Sequence, residues 1–418
     1  MIEKTIKKCI QCRICKHHTL TKVFGLGPTP LANSFLTTTQ TDLPELYYPL
    51  DVCFCTTCSF VQLGHVVSPK ILFKNYIYVS STSVVLQNHF KDYAKHLIQI
   101  TTPEPQSLFV DIGSNDGTLL KPIRTMGFRV LGVEPAHNIA QIAQNQGIDT
   151  VCDFFNVAVA QKIARTHGRA TAITANNVFA HIDNLDEIMN AVEVLLDDNG
   201  VFVIEAPHLV DLIKKNLFDT IYHEHLSYLA LTPLLSFFKH FHMKIIDVLK
   251  TDSQGGSIRI FVTRKQNKNR IESKRVRQVL EQEKKVHIAS RSTYDELGKR
   301  IQKVRTQLLT LLSRLKAQGK TIAGYGAPAK GNTLLNFFSI GTEILDFIVD
   351  DSPHKQGLYT PGKHIPVVAP TEIYRKKPDY LLILAWNFAP SIIKNHQNYQ
   401  KRGGTFIVPL PRPKVISP

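Results

Sequence analysis

Six of the seven cysteines lie before residue 60, and four of them form two C-x2-C pairs. Cys12-Arg-Ile-Cys15 and Cys55-Thr-Thr-Cys58 are separated by 39 residues. A C-x2-C turn aims two thiolates at one ion. Two such turns complete a tetrahedral shell that suits zinc and leaves no open coordination position. The spacing therefore predicts one structural zinc on Cys12, Cys15, Cys55 and Cys58. Such an ion replaces the large core that a lobe of about 80 residues lacks. Cys9-Ile-Gln-Cys12 is also a C-x2-C, and Cys53 lies close to Cys55. The context Cys55-Thr-Thr-Cys58-Ser-Phe-Val-Gln-Leu favours the later pair, which leaves Cys9 and Cys53 as spares. Disulfides are disfavoured because the start of the chain has no apolar secretory segment and a cytoplasmic home is expected.

A chain of 418 residues is too long for one ordinary core. The cysteine-rich lobe is expected over residues 1–84, with short irregular elements. Strand and helix patterns alternate over 85–264, and a helical connector leads into a second alternating array within 265–418. Two βα arrays point to an α/β protein with two doubly wound, Rossmann-like sheets beside the zinc lobe. No run of 18 apolar residues is present, so no membrane partner is expected.

The net charge of +16 raises the question of nucleic acid. Between Arg264 and Lys320, however, 17 Lys and Arg stand against 5 Asp and Glu, and the rest is nearly balanced. Val304, Leu308, Leu311, Leu312 and Leu315 recur there at helical spacing, which turns the bases outward. A solvated helical face is the plain reading, and attraction of a polyanionic substrate is the next. No aromatic-interleaved motif supports a nucleic-acid partner. Oligomeric state is not legible, and a monomer is the working expectation.

The strand Ser107-Leu-Phe-Val-Asp-Ile runs into Gly113-Ser-Asn-Asp-Gly117. The next strand, Arg129-Val-Leu-Gly-Val, ends at Glu134, 21 residues after Gly113, where an acid accepts ribose hydroxyls. The glycines let backbone approach a ligand. Asn115 and Asp116 replace the pattern of a dinucleotide loop, and Asp116 would repel a pyrophosphate. A carboxylate and an amide suit a cationic, amino-acid-bearing nucleoside, and S-adenosylmethionine is one. Asp153 and Phe154 follow the third strand as candidates for adenine, and Asn177 follows the fourth.

After the apolar strand Gly200–Glu205 comes Tyr222-His223-Glu224-His225, placed near the carboxyl edge where open α/β sheets bind ligands. Histidine suits proton transfer near neutrality. His223-Glu224-His225 lacks the helical H-E-x-x-H spacing of a metal site. His181 is a further candidate at the same edge. Methylation of carbon needs a base to remove a proton and a donor for the enolate oxygen, whereas methylation of a hydroxyl or amine needs less. In the last array, Gly324-Tyr-Gly-Ala-Pro-Ala-Lys330-Gly-Asn332 is a glycine-rich turn into a helix, suited to phosphate oxygens, with Lys330 adding charge. Asp350-Asp351 ends the following strand, and Trp386 follows another.

Taken in order, these segments resemble the zinc-containing, S-adenosylmethionine-dependent nucleotide-sugar 3-C-methyltransferases of branched deoxysugars. Gly27-Pro-Thr-Pro-Leu, Tyr76-Ile-Tyr78-Val-Ser-Ser, Gly255-Gly-Ser, Asp350-Asp-Ser-Pro-His-Lys-Gln-Gly, Pro361-Gly-Lys-His-Ile-Pro and Ala385-Trp-Asn387 extend the likeness nearly end to end. The resemblance implies a dTDP-linked 4-keto deoxysugar as substrate and methyl transfer to carbon 3. It implies His225 as general base, Glu224 and Tyr222 flanking the sugar, Tyr76 reaching across from the zinc lobe, and His181 near the ketone. Tyr78, Lys330, Asn332 and Trp386 are the remaining substrate-binding candidates. Two other readings stay open: methylation of another carbon acid or a hydroxyl, and a zinc-bearing nucleic-acid-binding protein.

Overall fold

The structure, a computed structural model, describes residues 5–73 and 79–418, so Tyr76 and Tyr78 lie outside the described residues. It is α/β, with a cysteine-rich amino-terminal part and two Rossmann-like sheets.

The amino-terminal part is more regular than the sequence suggested. Leu20–Thr29, Tyr48–Cys55 and Val61–Leu63 form an antiparallel sheet. Its fourth strand, Ser227–Tyr228, comes from the far side of the chain and pairs through Ser227 with Gln62 and Tyr228 with Val61. Strand Tyr48–Cys55 alternates apolar side chains, and Leu50, Val52 and Phe54 are all buried. The lobe has little core of its own. Cys12, Ile14, Cys55 and Phe60 join the apolar cluster of the central sheet, while Leu26, Leu50, Val52 and Phe54 join the cluster shared with the carboxyl-terminal part.

The central sheet has seven strands: β1 (Leu108–Ile112), β2 (Arg129–Val133), β3 (Thr150–Val151), β4 (Ala170–Asn176), β5 (Leu196–Pro207), β6 (Met243–Thr251) and β7 (Ser257–Arg264). Their order is 6-7-5-4-1-2-3. All neighbours are parallel except β7, which runs antiparallel to both β5 and β6. Strand β1, Leu-Phe-Val-Asp-Ile, is buried at every position because helices cover both faces. Helix Val84–Thr101 covers one face with Phe90, Tyr93 and Leu97. Helices Val157–His167 and Leu185–Leu195 cover the other.

The second sheet comprises β8 (Ile322–Tyr325), β9 (Ile348–Val349), β10 (Val367–Val368), β11 (Tyr380–Ile383), β12 (Thr405–Val408) and β13 (Lys414–Ile416), in the order 10-9-8-11-12-13. Only β13 is antiparallel. Between the sheets lie helices Lys274–Lys285 and Arg291–Ala317. Of the expected stripe on the longer helix, Val304, Leu308, Leu312 and Leu315 are buried and Leu311 is half-buried. Tyr294, Leu297 and Ile301 carry the stripe further toward the amino end. Lys299, Lys303 and Arg314 face outward. Among the described residues, no helix is long and apolar enough to cross a membrane.

Candidate active site

The zinc turns come together as their spacing requires. The Sγ atoms of Cys12, Cys15, Cys55 and Cys58 all lie within 4.8 Å of one another. Cys12 and Cys58 approach to 3.5 Å, as do Cys15 and Cys55. Tetrahedral zinc–thiolate bonds of about 2.3 Å hold sulfurs at separations of this order. With protons still present, the hydrogen bond from Cys58 draws the Cys12 thiol down to about 5. The four residues therefore fit a structural zinc, and Cys9 and Cys53 stand outside the cluster. Arg13, inside the first turn and buried, reaches toward the rest of the site. It donates to the carbonyls of Leu63 at 3.2 Å and Leu226 at 2.9 Å, and to Asp183 at 3.1 Å. Leu226 follows His225, and Asp183 lies two residues after His181, so the zinc turn braces both histidine-bearing segments.

At the carboxyl edge of the central sheet, the loop after β1 folds back over the tip of β2. Glu134 accepts from the backbone N–H of Asn115 at 3.0 Å and of Ala136 at 2.9 Å. Burial pushes its carboxyl up, against these two bonds. Gly113 (φ +62°) and Gly117 (φ +77°) take the left-handed conformation. A Cβ on Gly113 would meet Val178 at 2.4 Å, and one on Gly117 would meet Ile148 at 2.9 Å. Protein therefore fills the space beside both glycines, which is a stricter demand than approach of a ligand. Asp116 is fully buried, accepts from Thr118 Oγ1, and has Lys121 Nζ 3.9 Å from its Oδ2. Asn115 accepts through its side chain from the backbone N–H of Ser80 at 2.9 Å. Asp153 and Phe154 are exposed at the end of β3.

Several buried polar atoms at this edge have no hydrogen-bond partner among the described residues: Ser114 Oγ, Asp116 Oδ2, Asn176 Oδ1, Asn177 Oδ1 and His181 Nε2. Orphaned donors and acceptors at this sheet edge fit polar ligands that would complete them, and the amino-acid and ribose groups of S-adenosylmethionine are of that kind. Asp111, which the sequence reading passed over, belongs with them. It accepts from Thr174 Oγ1 at 2.5 Å and from Asn176 Nδ2 at 3.1 Å, and burial pushes it up to about 7. Its signal was available: an acid inside an apolar strand, two residues before the glycine.

The two histidines of the Tyr222–His225 segment bond to different backbone carbonyls. His223 is buried, and its Nε2 donates to the Tyr48 carbonyl at 3.0 Å, facing the amino-terminal sheet. His225 is half-buried, and its Nδ1 donates to the Thr220 carbonyl at 2.7 Å. A carbonyl only accepts, so in the neutral ring the proton sits on Nδ1 and the lone pair is on Nε2. His225 lies beside Tyr222 (ring centroids 4.0 Å apart) and His181 (5.0 Å). Burial above all, with the Lys330 charge adding to it and the Thr220 bond opposing, holds its proton affinity well below the usual histidine range. Burial alone takes His181 down to about 4. Glu224 is buried and accepts from Asn33 Nδ2 at 2.6 Å.

The carboxyl-terminal candidates meet the same region. Lys330 is buried and donates to the Gln254 carbonyl at 2.9 Å, with its Nζ 5.9 Å from the Trp386 ring centroid. Trp386 Nε1 donates to Asp219 Oδ2. Asn332 Nδ2 donates to the Ala32 carbonyl at 2.7 Å, tying this helix to the amino-terminal lobe.

Comparison with known proteins gives a consistent result. A family described as "C-methyltransferase C-terminal domain" matches residues 252–411. One described as "Putative zinc binding domain" matches 12–73, and "Methyltransferase domain" matches 87–248. The chain is 38% identical over 416 residues to the C-methyltransferase NovU of Streptomyces niveus, covering 100% of this chain and 99% of that one. Among solved structures, it is similar to an S-adenosylmethionine-dependent methyltransferase from Clostridium acetobutylicum, with 15% identity, 43% of this chain, 92% of that chain and a TM-score of 0.35. It is also similar to the magnesium protoporphyrin IX methyltransferase from Synechocystis with bound S-adenosylhomocysteine, with 14% identity, 44% of this chain, 88% of that chain and a TM-score of 0.34.

Proposed function

Because the chain belongs to the zinc-containing, S-adenosylmethionine-dependent C-methyltransferases, we propose that it methylates carbon 3 of a nucleotide-linked 4-keto deoxysugar for branched-sugar biosynthesis, with dTDP as the nucleotide. One observation carries this reading: the His225 imidazole gives its Nδ1 hydrogen to a backbone carbonyl, which leaves Nε2 as its basic atom, and the ring packs against Tyr222 and His181.

The work divides among a zinc lobe (1–84), a methyltransferase unit (85–264) and a connector with a nucleotide-sugar unit (265–418). Gly113, Asn115, Asp116, Glu134, Asp153, Phe154 and Asn177 hold the cofactor, with Asp111 added. S-adenosylmethionine, when bound, supplies an electrophilic methyl group. His225 Nε2 takes the proton from the carbon beside the ketone, and the electron pair passes to the ketone oxygen. His181, neutral and with a free Nε2, donates to that oxygen in the tautomer carrying hydrogen there. Tyr222 and Glu224 flank the sugar, and the family resemblance adds Tyr76 and Tyr78 as substrate contacts. Lys330, Asn332 and Trp386 face the nucleotide diphosphate. The same reading makes this a cytoplasmic enzyme of small-molecule metabolism, acting on neither nucleic acid nor membrane.

The test is incubation with S-adenosylmethionine and a panel of dTDP- and GDP-linked keto-sugars, followed by mass spectrometry. A gain of one methyl, resistant to ether cleavage, is expected on a dTDP-4-keto deoxysugar. Methyl transfer to a hydroxyl, or to none of the sugars, overturns the reading.

A further inference from the structure

His225 is only as well placed as the carbonyl that holds its Nδ1 hydrogen, and that carbonyl belongs to Thr220. Thr220 closes a single helical turn, Phe218–Thr220. Two contacts fasten this turn to the carboxyl-terminal part. Phe218 stacks on Phe338 with centroids 4.9 Å apart, at the end of helix Ala329–Phe338. Asp219, fully buried, accepts from the indole of Trp386. The other oxygen of Asp219 has no side-chain partner among the described residues, and the backbone N–H groups of Asp219 and Thr220 also favour its charged form. Lys330, on that same helix, acts on both Asp219 and His225 through its charge. Burial pushes the Asp219 carboxyl up to about 6, and Lys330 opposes this most strongly. The tip between β6 and β7 completes the junction. Lys330 bonds the Gln254 carbonyl, and a Cβ on Gly255 would meet the Trp386 ring at 2.9 Å.

Burying a carboxylate costs stability, so its place next to the residue whose carbonyl holds the base calls for a use. We propose that Asp219 is a positioning residue for the methyl transfer: it anchors the Thr220 turn to Trp386 and balances the Lys330 charge, so that docking of the carboxyl-terminal part sets both the height and the basicity of His225. The inference rests on His225 acting as the base. Among the described residues, the titratable groups facing His225 are Tyr222 on its own segment, His181 from the turn after β4, and Lys330 from the carboxyl-terminal helix.

The experiment uses the full-length zinc-loaded enzyme and the sugar acceptor identified by the panel. Asp219→Asn keeps the shape and an acceptor for Trp386 but removes the charge, which leaves Lys330 unbalanced. The expected result is a fall of about 10-fold in kcat. The acid limb of the pH–rate profile moves to lower pH, and S-adenosylmethionine affinity changes less than about twofold. Trp386→Phe removes the hydrogen bond and keeps the charge, so kcat falls while the limb stays in place. An acid limb unmoved in Asp219→Asn, or moved to higher pH, overturns the inference, as does unchanged kcat in both variants. His225→Ala is run alongside. If it retains turnover, the base assignment itself has failed, whereas an inactive His225→Ala beside an unaltered Asp219→Asn sinks only the role of Asp219.

Discussion

The two Rossmann-like sheets solve the same local problem and reach different ends. In each, a glycine-bearing turn follows the first strand, and an acid at the tip of the second strand binds a backbone N–H of that turn. Glu134 binds Asn115 N at 3.0 Å, and Asp350 binds Ala327 N at 2.7 Å. In the second sheet Lys355 then completes the corner. Its Nζ lies 3.7 Å from Asp350 Oδ2 and donates to the Ala327 carbonyl at 2.9 Å. The acid at this strand tip is paired within the protein itself. In the central sheet Glu134 has only backbone partners among the described residues, and buried polar atoms without a hydrogen-bond partner lie at the loop. Topology thus builds the same strand–turn–acid corner in both places, and one lysine distinguishes them.

The comparison makes predictions of graded size. The largest concerns where the chemistry is done. His225→Ala should lower turnover by about 1,000-fold, within the range of general-base catalysis. Titration calorimetry should show S-adenosylmethionine binding intact. Next, Glu134→Ala should weaken S-adenosylmethionine binding by about 100-fold, the worth of two charge-assisted hydrogen bonds. Asp350→Ala should leave that affinity unchanged, and equal losses in both variants would erase the distinction between the sheets.

Acidity offers a third test. The His225 proton affinity lies below the ordinary histidine value of 6.5, so the imidazole stays neutral and competent as pH falls through that value. The acid limb of kcat should therefore lie below pH 6.5. A limb above it would mean that burial does not govern this group. Two further effects bear on folding rather than turnover. Glu283, fully buried, accepts from Leu231 N at 2.7 Å, Thr232 N at 2.8 Å and His208 Nε2 at 3.2 Å. Glu283→Ala should cost about 3 kcal/mol in denaturant unfolding, as expected for a broken buried ion pair. Lys355→Ala, at the half-buried second-sheet corner, should cost about 1 kcal/mol.

Much of the zinc centre was legible because C-x2-C spacing is itself a geometric statement. The pair Cys55 and Cys58 rather than Cys53 follows from local flanking residues, and the cluster forms from those four. The loop at Gly113 and the acid at Glu134 were legible for a similar reason, since strand, turn and strand tip are local in sequence. Asp111 was overlooked because a single acid in an apolar strand reads as tolerated rather than used. Choosing between His223 and His225 was beyond local reading. The residues differ by two positions, and only their carbonyl partners, Tyr48 and Thr220, separate them.

The amino-acid order by itself determined the metal-ligand set, the alternation that makes two layered sheets, and the polar tips of their strands. Periodicity and spacing act over a few residues, and those features need nothing more. Only the tertiary structure decided that Ser227–Tyr228 would complete the amino-terminal sheet, and that Asp219 would find Trp386 167 residues away. Such meetings depend on how separate apolar faces pack together, and no local pattern encodes the partner of a side chain that distant.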